Sequence, residues 1–211
     1  MPGNCNTVIT IARQYGSGGR EVGVRLAEVL GIKAYDRELI TMAAQKSGMS
    51  SEILHHADEK ATNSLLYTLA LGSSYYGAAS IGTDVPINDK LFITQSQIIR
   101  DLAAEEPCII IGRCSDYVLR TNPARFSVFI YAPLEARIKR VLERGAAKTE
   151  KEARDLISRT DKRRINYYNY YTGRKWGNPD NYNMMLDSSF LGIEGSARAI
   201  ADVYNEKRDE K

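Results

Sequence analysis

With 211 residues, 43% of them hydrophobic and 26% charged, the chain has the length and composition of one soluble α/β-sized domain with a substantial core. A net charge of +3 is too small to suggest bulk nucleic-acid binding, and no apolar run approaches the ~20 residues of a membrane helix. Cys5, Cys108 and Cys114 have neither metal nor disulfide spacing and no signal-peptide pattern is visible, so the expectation is a reduced, cytoplasmic protein.

The first element is an apolar, β-branched run, Val8, Ile9 and Ile11, that meets the cluster Gly16-Ser17-Gly18-Gly19 and then an amphipathic pattern. That order reads as strand, tight loop, helix. Glycines in such a loop either meet a backbone requirement alone, or turn amide groups inward beside the positive end of the helix and make a phosphate cradle. The cradle is favoured, because three glycines fall within four residues. Against the pattern G-x-x-x-x-G-K-[ST], Arg13 stands at the opening glycine, Gly19 at the lysine, and Glu21 falls near the hydroxyl position. Arg20 or Arg13 is then the cation that replaces the lysine, since guanidinium grips phosphate through a fork of donors. A side chain at Gly18 is expected to obstruct the phosphate path and leave the fold nearly intact.

Val22, Leu26, Val29 and Leu30 recur at helical spacing and Gly31 stops the helix. Residues 32–35 read as a second strand, and Asp36 as the cap of a helix carrying Leu39 and Ile40. His55 and His56 read as surface residues rather than a metal pair. Asn88 or Asp89 caps a helix that ends before Pro107. The run 108–111 is apolar throughout, as in a strand buried on both faces, and Gly112-Arg113 ends it. A strand at 126–131 leads through Pro133 into a helix with Leu134, Ile138, Val141 and Leu142. Thr149 and Glu152 make a capping-box pattern opening a long basic helix to about residue 169. A turn at Asn178-Pro179-Asp180, a strand at 182–186 and a helix at 193–204 complete the chain. Strands alternating with helices predict a parallel, doubly wound α/β sheet. Tyr167 to Trp176 mixes aromatic and basic residues, which suits either base stacking or packing.

In this order the chain resembles the cytidylate kinase-like group of nucleoside monophosphate kinases. The resemblance rests on Gly16-Ser17-Gly18-Gly19, on Tyr35-Asp36-Arg37-Glu38-Leu39-Ile40, on Ile111-Gly112-Arg113, on the basic stretch 159–164 and on Leu186-Asp187. It implies a P-loop NTPase fold as one domain over 1–211, with a parallel sheet of about five strands, a helical substrate-side insertion at about 50–90 and a helical lid at about 155–178. It also implies ATP and Mg²⁺ as cofactors and CMP or dCMP as acceptor, with the metal ligands open. Arg13, Gly16, Ser17, Gly18, Gly19, Arg20 and Glu21 are the ATP-binding residues on this reading. Asp36, Arg37, Arg113 and Asp161 are the acceptor-binding ones, and Arg20 with the lid residues Arg159, Arg163 and Arg164 stabilises the transferring phosphoryl group. A surface arginine paired with Asp116, or a solvated basic helix face, would account for Arg113 and the lid residues without function. Two further readings keep the fold: a kinase of another small metabolite, and a nucleotide-binding sensor that lost transfer along with the loop lysine. No membrane partner is expected, and the oligomeric state is open.

Overall fold

The computed structural model describes residues 7–36, 42 and 87–209. Cys5, Arg37, His55, His56 and the expected insertion as far as residue 86 lie outside the described residues. Strands β1 (Val8–Arg13), β2 (Lys33–Tyr35), β3 (Cys108–Ile111), β4 (Arg125–Tyr131) and β5 (Met184–Asp187) form one sheet in the order β2-β3-β1-β4-β5, parallel throughout. The described helices are α1 (Gly19–Leu30), α2 (Ile87–Glu105), α3 (Ser115–Val118), α4 (Leu134–Glu143), α5 (Glu150–Thr172) and α6 (Ser188–Asp209).

The alternation of side chains along β1 and β3 divides the core into two layers. Ile9, Ile11, Ile109 and Ile111 pack with Val22 and Leu26 of α1 and Ile200 of α6. Val8, Cys108 and Ile110 point the other way, onto Ile98, Ile99 and Leu102 of α2 and Val118 of α3. Full burial of each such aliphatic side chain is worth about 1.5–3 kcal/mol, so β1 and β3 are firmly held on both faces. A smaller cluster, Ile138, Val141, Ala153 and Ile157, joins α4 to the first half of α5. The second half of α5 reaches α2, where Phe92 stacks on Tyr171 with ring centroids 4.1 Å apart.

Several boundaries differ from the sequence reading for local reasons. Val29 is 41% exposed, so the buried stripe of α1 is narrower than its apolar pattern. Helix α2 begins at Ile87, which puts Asn88 and Asp89 inside its first turn, and Asp89 accepts a 2.8 Å hydrogen bond from the Tyr171 hydroxyl. Helix α3 is too short for an apolar period to announce it. Helix α6 starts at Ser188, and Gly192 (φ 67°, ψ −179°) breaks its regular path. The Thr149 hydroxyl caps α5 by accepting from the Glu152 N–H at 3.2 Å, while the Glu152 carboxylate accepts from the N–H of Lys148 instead of Thr149.

Candidate functional site

The loop between β1 and α1 is built by two glycines in left-handed backbone, Gly16 (φ 77°) and Gly18 (φ 80°). A Cβ at Gly16 would lie 2.9 Å from the Arg137 carbonyl oxygen, and one at Gly18 would lie 2.6 Å from Ile193 Cδ1. The near atoms at Gly18 are the tips of Ile193 and Arg140, so its left-handed backbone, rather than packing, is what a side chain there would strain. Gly18 caps α1 with no side-chain hydrogen bond, so the first-turn amides of α1 are without a side-chain cap. Ser17 is fully buried, and its hydroxyl donates to the carbonyls of Gln14 (2.9 Å) and Ile130 (3.2 Å). The Ser188 hydroxyl donates to the Ser17 carbonyl, tying the loop to the start of α6.

The side chain of Arg13 lies over two glycines. A Cβ at Gly19 would fall on Arg13 Cβ, and one at Gly112 would fall on the Arg13 guanidinium. With residue 13 bearing a side chain, the lysine position of the loop has no room for one. Arg13 (15% exposed) and Arg20 (55% exposed) converge on Asp36, at 3.4 Å to Oδ1 and 2.8 Å to Oδ2. Both candidate replacement cations thus share one buried carboxylate. Glu21 pairs with Arg144, which tethers the first turn of α1 to the end of α4.

Helix α5 passes beside the loop and touches it with both signs of charge. Asp161 Oδ1 accepts from the Tyr15 N–H at 2.7 Å, and Asp161 Oδ2 accepts from Arg137 at 2.6 Å. Arg164 donates to the Arg13 carbonyl at 3.1 Å, and its guanidinium lies 5.8 Å from the Tyr15 ring centroid. Arg140 donates to the Gly16 carbonyl at 3.0 Å and Arg137 to the Tyr15 carbonyl at 3.4 Å. Arg159 and Arg163 are exposed on α5. The structure therefore gathers Arg13, Arg20, Asp36, Asp161 and Arg164 around the loop and leaves Arg159 and Arg163 facing solvent. Sequence reasoning missed Arg137 and Arg140. Their signal is a spacing of three on one face of the helix that follows β4 at the carboxyl edge of the sheet.

At that edge a pocket opens between β1, β3 and α5, lined by Arg13, Arg113, Asp116, Arg164, Tyr168 and Trp176 among others. Its floor is an unusual turn in which Gly112 (φ 80°), Arg113 (φ 56°) and Cys114 (φ 52°) are all left-handed. Non-glycine residues in this region cost about 1–3 kcal/mol each and persist where surrounding contacts impose them. Here the Gly112 N–H donates to Ile11 at 2.9 Å and the Ser115 N–H to Gly112 at 3.0 Å, locking the turn against β1. The turn aims Arg113 into the pocket.

Asp116 is 4% exposed, and its Oδ2 accepts from the Tyr168 hydroxyl at 2.7 Å, while Arg125 donates to its backbone carbonyl at 2.5 Å. Burial pushes the Asp116 carboxyl above the usual carboxylate range, and the Tyr168 hydrogen bond opposes that shift. Burial likewise pushes the Cys114 thiol up, so it is no thiolate nucleophile. Trp176 is held edge-on against Phe129, centroids 5.2 Å apart. Among the described residues no group of three or more His, Cys, Asp or Glu is placed to hold a metal ion, and no helix is long and apolar enough to cross a membrane.

The sequence model of the cytidylate kinase-like family matches residues 8–190. No curated protein matches the sequence. The crystal structure of an uncharacterized protein from Eubacterium ventriosum ATCC 27560 is 26% identical, with a TM-score of 0.70 over 95% of this chain and 99% of that one. Shikimate kinase from Bacteroides thetaiotaomicron is 12% identical with a TM-score of 0.54 over 94% of this chain and 98% of that one. A gluconokinase from Sinorhizobium meliloti 1021 is 14% identical with a TM-score of 0.50 over 98% of both chains. At such identities the two kinases speak for the fold alone, and the five-stranded parallel sheet flanked by helices agrees with a P-loop α/β fold.

Proposed function

The chain belongs to the cytidylate kinase-like family, and from that premise we propose that it transfers the γ-phosphoryl group of ATP to a small acceptor of the nucleoside monophosphate class, CMP or dCMP foremost. The observation that carries this reading is the adjacency of two features at one sheet edge. A glycine loop with uncapped helix amides lies at the end of β1, and a pocket lined by three arginines and aromatic rings lies between the ends of β1 and β3. The loop suits a polyphosphate, and Gly16, Gly18 and the first-turn amides of α1 are the groups that would hold it. When bound, ATP with its Mg²⁺ would supply the phosphoryl group; the carboxylates beside the loop, Asp36 and Asp161, are already held by arginines, and the metal ligands stay open.

The chain's own contribution is positioning and charge. Arg13 and Arg20, oriented by Asp36, take the role of the missing lysine, and Arg164 on the lid helix follows the loop. Arg113 holds the acceptor's phosphate. The helix α5 with the residues that follow it to about 178 acts as the lid, and the segment at about 50–90 as the acceptor-side insertion, within a single kinase-like domain.

One observation favours a second reading, a nucleotide sensor without transfer: Gly19 is closed to any side chain by Arg13, and an acidic side chain already occupies the Tyr15 amide. A coupled ADP-release assay with CMP, dCMP and a panel of hydroxy-acid acceptors, run beside ATP calorimetry, separates the readings. Turnover with CMP or dCMP supports the first, turnover only with a hydroxy acid changes the acceptor, and ATP binding without turnover supports the sensor.

A further inference from the structure

Helix α5 brings an anion of its own to the glycine loop. Asp161 Oδ1 accepts from the Tyr15 N–H at 2.7 Å, and Asp161 Oδ2 accepts from Arg137 at 2.6 Å. A loop amide on one oxygen and a guanidinium on another are the two kinds of donor that hold a phosphate. The side chains of Asp161 and Arg137 are 14% and 11% exposed, so water does little to satisfy either charge. One nitrogen of Arg137 serves both Asp161 and the Tyr15 carbonyl, while its buried Nε makes no hydrogen bond. The carboxylate thus uses only part of the fork.

Its place along the helix matters. Three residues on, a rise of about 4.5 Å, Arg164 bonds the Arg13 carbonyl and lines the pocket. Asp161 therefore stands where α5 passes from the loop towards the pocket, beside the route of any phosphoryl group carried between them. One amide hydrogen does not serve a carboxylate and a phosphate at once, and two anions brought to the same part-buried donors repel each other.

Resting on the reading of the loop as the ATP site of a kinase, we propose that Asp161 is an internal stand-in for the terminal phosphate of ATP. It fills that place in the empty protein and in the ADP complex, and ATP displaces it. The exchange is local and needs no lifting of the helix. Helix α5 stays fixed at Ile157 by the cluster with α4 and at Tyr171 by its stacking on Phe92. Only the side chain and the middle turn of α5 have to give way. Arg137 keeps an anionic partner in either state, so its charge is never stranded in a part-buried site. The pair also sets how far the loop distinguishes triphosphate from diphosphate. The free energy that holds Asp161 in place is subtracted from ATP binding and not from ADP binding.

The test is calorimetry of ADP and of the β,γ-imido analogue of ATP, both with Mg²⁺, on wild type and Asp161→Asn. The variant should bind the analogue about 5- to 150-fold more tightly than wild type does, the span of an ordinary coupling between two sites, with ADP affinity changed by less than about 3-fold. Amide hydrogen exchange at Tyr15 gives a second readout. It should quicken in the empty variant, slow again with the analogue, and stay quick with ADP. Asp161→Ser, which also removes the charge, carries the test should Asp161→Asn fail to fold. Equal changes for both nucleotides, or weaker binding of the analogue, overturn the stand-in role and leave the ATP site in place. Failure of both variants to fold, with or without the analogue, makes the pair a structural clamp and overturns the proposal as well. A wild type and variants that bind neither nucleotide overturn the ATP-site reading and this inference together.

Discussion

Gly18 sits in left-handed backbone with Ile193 and the Arg140 guanidinium against the position of its absent Cβ. Gly18→Ala is expected to destabilise the protein by about 1–3 kcal/mol in urea denaturation, and to weaken ATP binding by calorimetry more than the remaining folded fraction explains. Equal ATP affinity in the folded variant would detach the loop from nucleotide binding. Asp116 sets a pH dependence of opposite sign to that of a carboxylate held by a cationic partner. Its folded pKa is raised, so the native state keeps a proton that the unfolded chain has lost, and stability falls as pH rises from about 3.9 through the folded value. Melting temperatures of wild type and Asp116→Asn, measured between about pH 4 and pH 8, should therefore shift in favour of the variant as pH rises. A constant difference would show that the carboxyl is not perturbed by burial. The glycine cluster and Arg113 were legible because their meaning is local: a turn needs glycine, and a strand ending in Gly-Arg points its arginine at the sheet edge. Arg137 and Arg140 were not legible, since their bonds to Tyr15 and Gly16 cross more than a hundred residues of chain. Their spacing of three marks a shared face of α4, and only the fold turns that face to the loop.

At the scale of elements, α5 does more than its sequence pattern suggests. Its charge reads as a lid, with a solvated face as the alternative, and Arg159 and Arg163 do face solvent. Asp161, two residues from each and so on the opposite side of the helix, is 14% exposed and holds the loop amide and Arg137 together. Asp161→Asn leaves Arg137 without its charged partner in a part-buried site, which should cost about 1–3 kcal/mol. The specific readout is amide hydrogen exchange at Tyr15, which should speed up in the variant beyond neighbouring amides of β1. Unchanged exchange there would mean that the helix does not restrain the loop. The helix itself was legible from its cap, though it runs to Thr172 rather than to about residue 169, and β3 from its unbroken apolar run. Helix α3 and the start of α6 were not, because one is a single turn forced by strained backbone and the other is interrupted at Gly192.

Across the whole molecule, strand order follows from local rules: parallel strands, helical crossovers and two buried central strands leave few arrangements. The pocket follows from none of them, since it exists only where α5, joined to α4 at one end and α2 at the other, closes over the ends of β1 and β3. The contact between Arg13 and Gly19 has a consequence for descent. Positions 13 and 19 share room for one Cβ, so a side chain can enter at 19 only once 13 has become glycine. Where Gly19 is read as the lysine position of the loop, a lysine there and a side chain at residue 13 exclude each other. Gly19→Lys alone should misfold or expose the loop, whereas Arg13→Gly with Gly19→Lys should restore its melting temperature to within a few degrees of wild type. A double-mutant cycle that proves additive would refute this, because residues sharing one space must couple. Relatives should obey the same bargain, pairing glycine at the first position with lysine at the second, or a side chain at the first with glycine at the second.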